Sequence, residues 1–388
     1  MVPPAPRGSA LWNLGFRPFF LLAGAFGALS VLWWAIRLSG WSDRPGYVPG
    51  LLWHAHEMLF GYAFAVIVGF LFTAVRNWSG EATPTGKTLA SIAALWVAAR
   101  VLLLTPWHVL AAIADTAFAL AVAAGIAVPL WRGGNRRNYF FVALIVALGA
   151  ANLAFYLALA GAIDLAVDRW LRFALDIVLL VMAVMGGRVI PLFTGNALPG
   201  AQPVRVVWVE RTAFAGVLAL IGADLAGLSG FAIAAVATVT AVAHGARLAL
   251  WRPWLTARQP ILWILHVSYA WIPAHLALRA LAALEMVPQG PAVHALTVGA
   301  IGGLTLGMMT RVARGHTGRP LRSDRLEVAA YVLVQLAAIV RVFVPLAAPQ
   351  WYLMAVAASG LLWSAAFASF TVAFWPVLTR PRLDGREG

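Results

Sequence analysis

Cysteine is missing from all 388 residues. Its absence excludes disulfides, thiolate zinc sites, iron–sulfur clusters and covalently attached c-type haem. Imidazole is left as the one strong nitrogen ligand for a transition metal. Charge is scarce as well: 11% of the residues are charged, against about 25% in a soluble globular chain. Hydrophobic residues make up 62% and mean hydropathy is +0.85, so the chain belongs mainly in lipid. Acidic side chains number 14 against 28 basic ones, and Lys87 is the only lysine. The arginines sit at segment ends rather than in a soluble basic domain, which is the pattern of membrane orientation and not of nucleic-acid binding. Walker, Rossmann and nucleophile-elbow motifs are absent, and no internal sequence repeat is evident. The opening stretch "MVPPAPRGSALWNLGFRPFF" lacks the basic, apolar and small-residue order of a cleavable signal peptide. The first hydrophobic run is therefore expected to stay as a helix.

What the chain does have is long apolar runs. A spanning helix needs about 20 mostly apolar residues. Twelve runs qualify: roughly 17–38, 51–75, 86–105, 107–131, 138–161, 169–195, 208–228, 231–252, 259–283, 290–313, 325–346 and 350–378. They predict an all-α, polytopic membrane bundle in which residues 1–388 form one integral-membrane domain. With the N-terminus in the cytoplasm, the outer loops and helix ends hold seven basic residues: Arg37, Arg44, Arg100, Arg169, Arg172, Arg279 and Arg341. The other 21 of the 28, Arg7 and Arg386 among them, fall inside, which predicts that both termini are cytoplasmic. Gly299, Gly303 and Gly307 in "GAIGGLTLGMM" stand four apart on one helical face and predict close helix contact.

The eight histidines sort by depth. His54, His56, His108, His275 and His294 fall in the outer half, while His244, His266 and His316 lie towards the inner surface. His54 and His56 are two residues apart, about 200° around a regular helix. They share one site only if the helix begins after His54. Glu57, three residues after His54, is placed to orient that imidazole. His294 and His316 lie about 33 Å apart along one helix and cannot hold one ion. His54, His56, His266 and His294 are the favoured metal ligands. His244 and His316 stay open between ligand and structural roles, and His108 and His275 are expected to hydrogen-bond locally. Asp115 and Asp176 are candidates for pairing with arginines.

Five blocks carry a resemblance: "GFRPFFL" (15–21), "WHAHEMLFGYAFAVIVGFLFTAVRNWSG" (53–80), "GGRVIPLFTGNAL" (186–198), "LWILHVSYAWIP" (262–273) and "HALTVGAIGGLTLGMMTRVARGHTGRPL" (294–321). Together they resemble the NnrS family. The resemblance implies a twelve-helix protein of the bacterial inner membrane containing haem and copper and associated with nitric oxide. Carried over block by block, it points to His54, His56 and Glu57, to His266, and to His294 and His316, with Arg17 and Arg188. A non-covalent b-type haem needs axial imidazoles and a slot between helices. Its propionates suit guanidinium partners, for which Arg17 and Arg188 are the better placed and Arg311 and Arg314 further candidates. Copper accepts imidazole and thioether, which brings in Met58, Met308 and Met309.

Three functions are in play. The leading one is a haem- and copper-binding membrane protein that binds or responds to nitric oxide, in denitrification or nitrosative-stress tolerance. The second is a haem–copper redox enzyme similar to a nitric oxide reductase. Against it, the His-His pair and late-helix His-x-His pair expected of such enzymes are missing, and the redox partner is unknown. The third is a transporter of copper, haem or an anion.

Overall fold

The computed structural model describes residues 9–38, 40 and 47–385. Arg7, Arg44 and Arg386 of the orientation argument, and most of the N-terminal stretch before the first helix, lie outside the described residues. Within them the protein is all-helical. Its long helices are α1 (Phe16–Leu38), α2 (Gly50–Ser79), α3 (Gly86–Leu102), α4 (His108–Arg132), α5 (Tyr139–Leu159) and α6 (Val167–Ala197). They continue with α7 (Val207–Leu225), α8 (Phe231–Leu250), α9 (Pro260–Ala283), α10 (Gln289–His316), α11 (Arg325–Ala347) and α12 (Tyr352–Thr379).

Ten of these are long and apolar enough to cross a membrane, which makes this a multi-pass membrane protein. The remaining two are α3, only 17 residues long, and α7, which carries Glu210, Arg211 and Asp224. The ends of the bundle meet, since the Ala10 N–H donates to the Thr379 carbonyl at 2.8 Å. The helix break expected at Thr105-Pro106 separates α3 from α4. At the other end of the second segment, Arg76 and Asn77 stay helical, and α2 stops where Gly80 adopts φ 73°, a left-handed cap that glycine takes without strain.

Burial separates the helices into two groups. The apolar windows of α2, α6 and α10 are 89%, 78% and 72% buried, whereas the other seven candidate spans reach only 44–61%. These three therefore form the centre, and the rest surround them. Small residues permit the close approach: a Cβ at Gly299 would fall on the Trp271 ring of α9, and one at Gly303 on Ser268 of α9 and Gln335 of α11. One at Gly307 would reach Leu265 of α9 at 2.9 Å. The predicted small-residue face is thus the contact of α10 with α9.

Two of the central helices carry π-helical segments, Glu57–Ala63 in α2 and Ala295–Gly302 in α10. Their starts are 238 residues apart (57 to 295). The same offset pairs His56 with His294, Gly61 with Gly299, Gly69 with Gly307, Arg76 with Arg314, and Gly80 with Gly318. Gly80 and Gly318 both have positive φ, 73° and 71°. An offset of 123 (188 to 311) relates the inner ends of α6 and α10, pairing Arg188 with Arg311, Thr194 with Thr317, Gly195 with Gly318 and Leu198 with Leu321. Thr194 donates to the Ile190 carbonyl and Thr317 to the equivalent Ala313 carbonyl. These coincidences fall on α2, α6 and α10, the three helices that form the core. The matching positions are mostly glycines and helix ends, diluted among interchangeable apolar residues.

Candidate functional site

Where α2, α6 and α10 meet near their N-terminal ends, they line a cavity of about 360 Å³, within the range of about 300–1,000 Å³ usual for ligand pockets. His54, Met58 and Tyr62 line it from α2, Arg172 from α6, and His294 from α10. The outer helices add Trp34 of α1, Arg341 of α11 and Tyr352 of α12.

The two cavity imidazoles are held differently. His294 Nδ1 donates to the Gly290 carbonyl at 2.8 Å. That bond fixes the ring and its tautomer and leaves Nε2 with its lone pair free. His54 stacks on Trp34, with ring centroids 5.1 Å apart and planes 16° off parallel. Arg341 is 8% exposed and stands close to both rings. Its Nη2 donates to the Tyr352 hydroxyl at 3.4 Å, whereas Nη1 is buried with no hydrogen-bond partner. A buried unmet donor costs about 1–3 kcal/mol, more when charged. Such an orphan beside two imidazoles suits an anionic group of a bound ligand.

His56 goes the other way. The helix is regular from Gly50 through His56, so the two histidines of the motif face apart. His56 is fully buried; its Nδ1 donates to Glu57 Oε1 at 3.0 Å, and Nε2 faces Asn152 Oδ1 at 2.8 Å. Arg100 of α3 donates to the same Glu57 oxygen at 2.5 Å and, through Nη2, to Asp115 of α4. Tyr156 of α5 donates to Asp115 Oδ2 at 2.8 Å. This buried cluster ties four helices together. Both ring nitrogens of His56 are taken up by protein oxygens, so neither is presented to a metal. Glu57 orients His56 and not His54, because its carboxylate is drawn into the cluster by His56 Nδ1 and Arg100. Asp115 is paired with an arginine, as expected.

A family model described as NnrS protein matches residues 10–382. The chain belongs to the NnrS family. No curated protein matched it. All five sequence blocks lie inside the matched range, and two of them supply the NnrS cavity's histidines.

The other candidate residues of this NnrS chain stand apart from the cavity. His266 is 2% exposed, with Nδ1 donating to the Leu262 carbonyl at 3.1 Å and Nε2 3.3 Å from Thr194 Oγ1. His244 bonds the Tyr269 hydroxyl at 2.6 Å. His316 packs against Phe16, 5.7 Å between centroids, and its carbonyl accepts from Arg382 at 3.0 Å. The two histidines expected to act locally do so. His108 contacts the Pro106 carbonyl, and His275 donates to the Ala292 carbonyl at 2.7 Å, pinning α9 to the start of α10.

The four inner arginines proposed for propionates are engaged by the protein itself. Arg17 Nη1 donates to the Leu378 and Arg380 carbonyls at 2.9 and 2.8 Å, holding the end of α12. Arg188 donates to Asn138 Oδ1 at 2.9 Å and lies over the Phe140 and Phe141 rings. Arg311 stacks on Phe193 at 3.9 Å. Arg314 bonds Glu327 through Nε at 2.9 Å and Nη2 at 2.5 Å. The cations that do reach the cavity are Arg341 and Arg172. Sequence reasoning placed both on the outer side but gave them no site role. The signal available was their depth, level with His54 and His294. Asp176 is also arginine-paired as expected, accepting from Arg279 at 3.1 Å, and Arg279 reaches Asp224 as well.

Proposed function

We propose that this NnrS protein spans the bacterial inner membrane with all twelve helices and both termini cytoplasmic. In this reading it holds haem b in the cavity between His54 and His294, and there binds or responds to nitric oxide. The observation that carries the reading is the pairing of two imidazoles from separate central helices with a buried guanidinium whose Nη1 has no hydrogen-bond partner, inside one cavity of ligand size.

The residues present fit a haem. His54 and His294 offer nitrogen donors, Arg341 an unmet N–H for a carboxylate, and Leu59, Ile301 and Val356 apolar walls. When bound, haem supplies an iron to which nitric oxide coordinates reversibly. The chain's own part is positional. The Gly290 carbonyl keeps His294 Nε2 free, and Trp34 holds the plane of His54. Nitric oxide is small, neutral and lipid-soluble, so a site among helices needs no polar access route. Copper accepts imidazole and thioether donors, and Met58 lines the same wall as His54. Copper would therefore compete for these donors, and no step is assigned to it.

Optical spectra and metal analysis of the purified protein, before and after nitric oxide, test the reading. A haem Soret band displaced by nitric oxide supports it. Absence of both haem and copper after gentle purification overturns it. Steady consumption of nitric oxide with an electron donor would instead place the protein among redox enzymes.

A further inference from the structure

The same three central helices line a second, smaller and partly open pocket of about 80 Å³. Its lining comes from α2 (Val66, Phe70), α6 (Met182, Met185) and α10 (Leu304, Met308), with Phe20 of α1 and Leu265 of α9 completing the wall. The only polar side chain on the wall is Thr305. That hydroxyl is already committed: it lies 2.6 Å from the Ile301 carbonyl and 2.5 Å from the Tyr62 hydroxyl. A buried water needs about 10–15 Å³ of such space and two to four polar partners. Space is ample here and partners are lacking. An apolar pocket of this kind offers water no partners and admits small apolar solutes such as xenon.

The position of Tyr62 links the two cavities. Its ring lines the larger cavity, while its hydroxyl bonds the threonine that lines the smaller one. Tyr62 is fully buried and sits in the π-helical segment of α2, and Thr305 follows the π-helical segment of α10. The Tyr62–Thr305 hydrogen bond thus joins a wall residue of one cavity to a wall residue of the other, across two central helices.

We propose that the small cavity is a docking site for a neutral diatomic gas, and that the Tyr62–Thr305 pair is the partition between it and the histidine-lined cavity. The inference rests on the reading of the larger cavity as the place where nitric oxide is bound. Gas dissolved in the membrane collects in the apolar pocket, which raises its local concentration beside the site. Movement of the Tyr62 ring then admits it.

Xenon probes the docking site without any metal. The full-length protein is prepared under xenon pressure, and the xenon position is read by anomalous diffraction. One atom is expected among Val66, Met185 and Leu304, and Met308→Trp should abolish it. Val66→Phe serves as a second filling variant should the first fail to fold. A cavity that takes no xenon while xenon binds elsewhere overturns the docking site.

The partition is read by stopped-flow nitric oxide association with the purified protein. Tyr62→Phe, which keeps the ring and removes the bond, should speed association several-fold, and Met308→Trp should slow it several-fold. Unchanged rates in both variants overturn the route even where xenon binds. A protein that takes up xenon but shows no nitric oxide spectral change contradicts the larger-cavity reading and leaves the apolar docking site standing.

Discussion

Replacing Arg100 with methionine tests the buried ion cluster behind the WHAHEM motif. Arg100 is 6% exposed, and its two terminal nitrogens go to Glu57 and Asp115, which are each 1% exposed. Methionine keeps the apolar length of the side chain and removes the charge, leaving two carboxylates without their shared cation. Exposed ion pairs contribute about 0–1 kcal/mol, whereas taking one partner from a buried pair costs about 3–5 kcal/mol. The burial here places the variant in the second class, so a loss of about 3–5 kcal/mol is expected. The assay is reversible unfolding in mixed micelles, titrated with SDS and followed by tryptophan fluorescence. Removing the charges together, in Arg100→Met with Glu57→Gln and Asp115→Asn, should recover most of the loss because no buried charge is stranded. A loss below about 1 kcal/mol in the single variant would refute the reasoning, since it would mean that the cluster is solvated.

Three other outcomes follow from close contacts. A Cβ at Gly187 would fall on the Arg247 guanidinium, which is held by Glu210, the Ala183 carbonyl and Tyr269. Gly187→Ala should therefore lose about 1–3 kcal/mol by overpacking, while Gly245→Ala, with open space around it, should not; the same unfolding titration compares them. Asp324 caps α11 by accepting from the Glu327 N–H at 3.0 Å, in a reciprocal capping box. Asp324→Ala should cost about 1 kcal/mol in that assay. Arg341→Met should weaken haem retention in a haem-transfer assay to apomyoglobin, and Arg188→Met, whose parent is tied to Asn138, should leave it unchanged.

Much of the architecture was legible in the sequence because hydrophobic length and the placement of arginine report directly on lipid. The break at Thr105-Pro106, the small-residue face at Gly299, Gly303 and Gly307, and the arginine pairing of Asp115 and Asp176 were all readable from local pattern. So was the divergence of His54 and His56, which follows from 100° per residue. Which of the two faces the cavity was not readable, because it depends on the rotation of α2 against α3, α4 and α10. The π-helical segments leave no single-residue signature, so Glu57 was assigned to the wrong imidazole. The inner arginines attracted a propionate role by depth and, for Arg17 and Arg188, by the resemblance, but their carbonyl, aromatic and carboxylate partners come from other segments.

The most direct test of the central claim is the haem-to-protein ratio of separately purified His54→Ala, His294→Ala and His266→Ala variants, read from the Soret absorbance against protein. The account predicts loss of haem in the first two and full retention in the third, whose imidazole is spent on Leu262 and Thr194 away from the cavity. Full haem in both His54→Ala and His294→Ala, with loss in His266→Ala, would contradict it.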